Sequence, residues 1–158
     1  MVKLRVYVET SVISYLSSRP SRDLIVAGQQ ELTRSWWESA ASRFTLCCSP
    51  LVHLEASRGD PQAAELRLSK LLGLEMLQIS ESAGELASQL IAAGALPAQA
   101  QADALHVAIC ATAGVDLLVT WNCRHIANAT MYAVIDRVCR DATLPPPHIC
   151  TPIELWGD

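Results

Sequence analysis

The chain of 158 residues is 51% hydrophobic and 18% charged, with a formal net charge of −4. That length suits one domain with a sizeable core, and that composition excludes a disordered chain. The acidic balance excludes a protein that coats nucleic acid through a general positive field, but not an enzyme that grips a short segment through a few of its ten arginines.

In chain order, residues 4–8 (LRVYV) read as a first strand that runs directly into Glu9, Thr10 and Ser11. Ser21 is placed to cap a helix over 23–42, which carries Trp36 and Trp37. Adjacent helical side chains cannot both face one core, so one tryptophan is expected inside and the other at an interface. Residues 44–48 form a second strand, ending on Ser49 and Pro50, and Glu55 follows in a short helical stretch. Asp60 and Pro61 supply the cap and first position of a helix to residue 72. A third strand is expected over 74–79. The next helix has two competing caps, Ser80 and Ser82, the latter in a capping-box spacing with Glu85. A helix over 98–113 stops at Gly114, a fourth strand spans 116–120, and a weaker fifth lies at 148–150. Thr151 and Pro152 open a last short turn ending at Trp156.

Strands alternating with helices predict an α/β fold with a central, mainly parallel sheet of four to five strands flanked by helices, in a single domain over 1–158. No apolar run reaches bilayer-spanning length, and the N-terminal residues lack the apolar core of an export signal. No membrane association and a cytoplasmic location are therefore expected. The six cysteines show no CxxC spacing, which argues for free thiols over a disulfide framework or a zinc site.

Three carboxylates stand in apolar surroundings: Glu9 after VYV, Glu55 in SPLVHLEASRGD, and Asp103 in AQADALHVAICATAG. A carboxylate on a buried face is costly unless it is paired, hydrogen-bonded or metal-bound. Each also has a plainer reading. Glu9 is a strand end facing the start of the next helix, Glu55 an exposed partner of Arg58, and Asp103 a helix cap. Parallel sheets place sites at the carboxyl ends of their strands, where Glu9, Ser49 and the Thr120–Asn122 segment all fall. Several carboxylates converging there from separate elements suit a hard cation such as Mg²⁺ or Mn²⁺.

The segments VETSVISYL, SPLVHLEASRGD and ADALHVAICATAGVDLLVTWNCRHI together resemble the PIN domain, in particular the VapC-type toxins of bacterial toxin–antitoxin pairs. The resemblance runs from Val6 to about Pro152. It implies a PIN-like fold and a metal-dependent endoribonuclease that hydrolyses RNA phosphodiesters with metal-activated water. By position, Glu9, Glu55 and Asp103 take the places of metal-binding acids for Mg²⁺ or Mn²⁺. Asn122 completes the catalytic set, while Ser11, Thr120, Arg124 and His125 orient ligands or substrate. The resemblance further implies an RNA substrate, a cognate antitoxin protein and a homodimer.

Two departures bear on this expectation. Glu9 stands where Asp is usual, and Asn122 and His125 lie where a fourth acid is common; Asp116 stands at the very start of its strand and is expected at the opposite end of the sheet. These changes keep open an alternative, a catalytically weak or inactive PIN-fold module that binds RNA or protein. A small α/β hydrolase or phosphatase without a nucleic-acid substrate is a further, less supported reading. His106, three residues after Asp103, is expected to be a packed core histidine, and His125 to contact a substrate phosphate.

Overall fold

A computed structural model describes residues 2–157; Met1 and Asp158, the two ends of the expected 1–158 domain, lie outside the described residues. The strands are β1 (Arg5–Val8), β2 (Thr45–Cys48), β3 (Glu75–Met76), β4 (Leu117–Val119) and β5 (His148–Cys150). They form a five-stranded sheet in the order β3-β2-β1-β4-β5, with every pairing parallel. Strands covered on both faces have no solvent side, which is why β1, β2 and β4 read as unbroken apolar runs rather than alternating ones. Val6, Tyr7 and Val8 are fully buried at the centre.

The helices are α1 (Thr10–Ser17), α2 (Leu24–Arg43), α3 (Pro50–Ala56), α4 (Pro61–Lys70), α5 (Glu81–Ala92), α6 (Gln101–Thr112) and α7 (Tyr132–Asp141). From β1 the chain winds outward through β2 to β3, then returns to the other side of β1 for β4 and β5. This reversal opens a crevice at the carboxyl ends of β1 and β4, where an open α/β sheet binds its ligands. The Glu9 N–H donates to the Val119 carbonyl at 3.1 Å, fixing the end of β1 beside the end of β4.

Several boundaries differ from the sequence expectations. Asp23 rather than Ser21 caps α2, accepting from the N–H groups of Ile25 and Val26, while the Ser21 hydroxyl accepts from the Asp23 N–H. Of the two candidate caps for α5, Ser80 takes the role, accepting from the Ala83 N–H. The predicted start of α6 at residue 98 is three residues early. Pro97–Ala100 forms a tight turn closed by the Ala100 N–H on the Pro97 carbonyl, and the helix begins at Gln101. Asp103 therefore sits inside the first turn of α6 and is not its cap. The third strand is only two residues long, because it is an edge strand whose sole neighbour, β2, ends at Cys48.

Trp36 is buried, and Trp37, contrary to the expectation that adjacent helical residues cannot share one core, is half-buried against the same core, its ring edge-on to Trp36 at 6.0 Å. Asp116 lies at the opposite end of the sheet, as expected, accepting from the Arg5 N–H at 2.8 Å. All six cysteines are free thiols, and only Cys123 is exposed. Burial pushes the Cys47 and Cys150 thiols up to about 12, which keeps them protonated and inert. No helix among the described residues is long and apolar enough to cross a membrane.

Candidate metal centre

β1 delivers Glu9 to the crevice and stops there because Glu9 is also the N-cap of α1, its carboxylate accepting from the Ser11 N–H at 3.1 Å. The plainer reading of this residue is thus correct in its geometry, and it does not exhaust the side chain. Glu9 Oε2 also accepts from the Ser11 hydroxyl and, at 2.8 Å, from the Thr120 hydroxyl. The Ser11 oxygen in turn accepts from the Trp121 N–H at 2.8 Å, so the ends of β1 and β4 are tied through one carboxylate oxygen. The other oxygen, Oε1, accepts no hydrogen bond among the described residues and lies 4.0 Å from His106 Nε2. Glu9 is almost fully buried, with 5% of its surface exposed.

Glu55 arrives from α3, whose N-cap Ser49 and first residue Pro50 follow directly on β2. Its Oε1 accepts from the Thr10 hydroxyl at 2.7 Å and from His106 Nε2 at 2.6 Å. The ion pair with Arg58 offered by the plainer reading of Glu55 does not form; Arg58 contributes to Glu55 only as a nearby charge. As at Glu9, one carboxylate oxygen is pinned and Oε2 is left without a protein partner among the described residues.

His106 is packed in the core, as predicted, and it is more than packing. The fully buried ring bridges Glu55 through Nε2 and the Tyr7 hydroxyl through Nδ1 at 2.7 Å, and Tyr7 in turn lies 2.8 Å from the Ser49 hydroxyl. With the imidazole protonated, Nε2–H donates to Glu55, Nδ1–H to Tyr7, and the Tyr7 O–H to Ser49, so each proton has an acceptor. Burial disfavours a charge on His106. Its bond to Glu55 and the nearby carboxylates of Glu9, Glu55 and Asp103 outweigh that cost and raise its pKa. Burial likewise acts to raise Glu55, but the bonds from His106 and Thr10 and the charge of Arg58 outweigh it and lower its pKa.

These opposed shifts give a signed expectation for the metal-free protein. A raised His106 stabilises the fold fully below its usual 6.5 and loses that contribution as pH rises through its folded value. A lowered Glu55 stabilises the fold above its usual 4.5 and loses it as pH falls through its folded value. With chelator present, the melting temperature should be highest between these limits and decline toward alkaline pH. The same scan on His106→Gln should lose the alkaline decline; an unchanged decline in that variant would assign it to other groups.

Ligand-capable atoms of Glu9, Glu55 and His106 all lie within 4.8 Å of one another. The donor chemistry fits a small hard cation, since each of the two neighbouring carboxylates keeps one oxygen free of protein hydrogen bonds among the described residues. His106, with both ring nitrogens engaged, holds Glu55 in place, the supporting role that orients metal ligands. Asp103, expected as a third ligand, stands on the same face of α6 one turn before His106, but outside this group. Its Oδ2 lies 2.8 Å from His125 Nδ1. His125, expected on a substrate phosphate, thus already has an acidic partner within the protein.

Asn122 shapes the loop that presents His125. Its Oδ1 accepts from the His125 N–H at 3.0 Å, its own N–H donates to Thr120 Oγ1, and its carbonyl accepts from Ile126 and Ala127. Arg124 is exposed, and its guanidinium makes no ion pair or hydrogen bond among the described residues. The structure therefore gathers Glu9, Glu55, Ser11 and Thr120 at one point and sets Asp103, Asn122, Arg124 and His125 beside it. Sequence reasoning missed His106, Tyr7 and Thr10 as parts of the site. The i, i+3 spacing of Asp103 and His106 was the one available signal for His106.

No protein-family model matches the chain, and no curated protein matches it by sequence. Solved structures do. A chain of VapBC2 from Rickettsia felis, solved bound to a DNA fragment from their promoter, aligns over 94% of this chain and 98% of its own, with a TM-score of 0.59 and 15% identity. VapC20 of Mycobacterium tuberculosis, described as a Sarcin-Ricin loop cleaving toxin, aligns over 78% of this chain and 95% of its own, with a TM-score of 0.55 and 16% identity. The fold is thus the PIN-like α/β fold of VapC toxins, as the sequence motifs led us to expect. At such low identity the likeness is one of fold.

Proposed function

We propose that this protein is a metal-dependent endoribonuclease of the PIN-domain toxin type, using Mg²⁺ or Mn²⁺. One observation carries the reading. Two carboxylates from separate elements, Glu9 and Glu55, meet at the topological switch point with one free oxygen each, in a fold shared with VapC proteins, one of them described as a Sarcin-Ricin loop cleaving toxin. In this reading Glu9 and Glu55 would hold the ion. Ser11 and Thr120 fix the orientation of Glu9, while Thr10 and His106 fix Glu55. A divalent ion bound there supplies charge stabilisation at phosphorus and lowers the pKa of water. Asp103, held by His125, borders the space where the scissile phosphate enters, and Asn122 keeps that pair in position. The same reading includes a cytoplasmic homodimer restrained by a cognate antitoxin that covers the acidic crevice.

The alternative, a binding module without cleavage, has an observation of its own. Two of the three acids are already matched inside the protein, Glu55 by His106 and Asp103 by His125. Incubating structured RNA with the protein and Mn²⁺ or Mg²⁺ distinguishes the two. Cleavage should require the metal and fall about tenfold in Asp103→Asn, the loss expected when a charge-assisted bond worth about 1.5 kcal/mol no longer holds His125 at the phosphate entrance. No cleavage with either ion, together with retained RNA binding, would favour the module. Undiminished cleavage in Asp103→Asn would remove that residue from the site.

A further inference from the structure

Beside the acidic pair lies a second concavity with the opposite character. A cleft of about 590 Å³ opens between the α5–α6 connection and the loop after β4. Ile91 and Met131 line it with apolar surface, Pro97 and Gln99 contribute one side, and Arg124 and His125 the other. In a chain of net charge −4, no carboxylate lines this cleft among the described residues, and the Arg124 guanidinium at its edge is unpaired. His125 is shared with the metal centre, because the ring that borders the cleft is the one bonded to Asp103 at 2.8 Å. The cleft therefore begins where the acidic crevice ends.

We infer that this cleft is a nucleotide subsite, which holds one unpaired nucleotide of the RNA adjacent to the scissile phosphate. The inference rests on the ribonuclease reading for the identity of its ligand. Its volume falls in the range of small-molecule sites and accommodates a single nucleotide. Arg124 supplies the planar, unpaired cation that phosphate oxygens take in a bidentate fashion. Ile91 and Met131, both half-buried, give the base an apolar face to lie on, and the exposed Gln99 amide offers one donor and one acceptor to a base edge. Single-stranded RNA meets these demands because its bases are free to leave the stack. A duplex end does not, and an acidic peptide would use Arg124 but leave the apolar face and Gln99 without a purpose.

Binding of a 5′-fluorescein single-stranded RNA decamer, followed by anisotropy in EDTA, tests the subsite without requiring catalysis. Arg124→Ala should weaken binding about fivefold and reduce the slope of log K against log salt by about 0.7, the loss of one single-strand phosphate contact. Ala98→Trp, at an exposed position on the cleft wall, should fill it and weaken binding by a similar factor with an unchanged salt slope. Thermal melts of both variants check that they fold. Affinities equal to that of the parent in both folded variants would overturn the subsite, as would a parent protein that does not bind the decamer. A glutamate-rich decapeptide that displaces the RNA and loses affinity in both variants would overturn it too, in favour of a protein ligand. If the variants lose RNA affinity but the parent protein never cleaves RNA with Mn²⁺, the nuclease reading fails and the subsite stands.

Discussion

Glu9→Gln is expected to reduce RNA cleavage about a thousandfold while leaving the metal-free protein nearly as stable as before. The two effects separate because the two oxygens of Glu9 have different work. Oε2 accepts from the Ser11 N–H, the Ser11 hydroxyl and the Thr120 hydroxyl, and the single oxygen of a glutamine can occupy that place. The cap and the tie between β1 and β4 then survive, and stability should change by less than about 1 kcal/mol. The amide nitrogen must take the position of Oε1, and there it presents donors to a cation that needs an acceptor and a negative charge. Losing a metal's charge stabilisation of the transition state costs several kcal/mol, or about three decades in rate. Single-turnover cleavage with Mn²⁺ reads the first effect, and melting with and without Mn²⁺ the second. The parent should gain stability from the ion and the variant should not. A variant that cleaves at the parent rate would show that Glu9 is only a cap.

His106→Ala should have the reverse profile, with its largest effect on the fold. The ring is fully buried and bonded on both sides, to Glu55 and to Tyr7. Its removal opens a cavity and leaves the Glu55 carboxylate without its cationic partner in a mostly buried setting. Breaking a pair of this kind costs about 3 kcal/mol or more. Tyr7 does not add an orphaned hydroxyl to this cost, because Ser49 still lies 2.8 Å away. Urea denaturation should show the midpoint lowered with an unchanged slope. His106→Gln, which keeps a donor for Glu55 and fills most of the space, should recover part of the loss. If alanine costs less than about 1 kcal/mol, the pair is not supporting the fold.

The sequence was informative where burial is simple. β1, β2 and β4 stand out as short β-branched or apolar runs because a parallel sheet has no wet face to impose alternation. The order of Glu9, Glu55 and Asp103 likewise pointed to the crevice, since each acid interrupts an apolar run, Glu9 at the end of β1, Glu55 in the last turn of α3 and Asp103 in the first turn of α6. Boundaries failed where local signals compete. Ser21 and Asp23 both suit a cap, and only the path of the chain decides that Ser21 bonds Asp23 rather than the helix. The start of α6 was misplaced because alanine-rich residues 98–100 have high helix propensity while Pro97 commits them to a turn.

The site's internal pairing was hidden for a different reason. His106 meets Tyr7 across 99 positions and Glu55 across 51, and no local pattern encodes such contacts. The i, i+3 relation to Asp103 pointed to a shared face of α6, yet the two residues take different partners there. Asp103 turns to His125 from the loop after β4, and His106 turns inward to the sheet and α3. The triad of acids implied by the family resemblance is, in three dimensions, a pair of acids with a buried histidine and a neighbouring acid–histidine pair.

Anomalous diffraction at the manganese absorption edge, from crystals of the protein grown with Mn²⁺, bears most directly on the metal assignment. The ion should appear in contact with Glu9 Oε1 and Glu55 Oε2, with His106 still bonded to Glu55. Crystals with no manganese at this position, or with manganese bound only elsewhere, would contradict it.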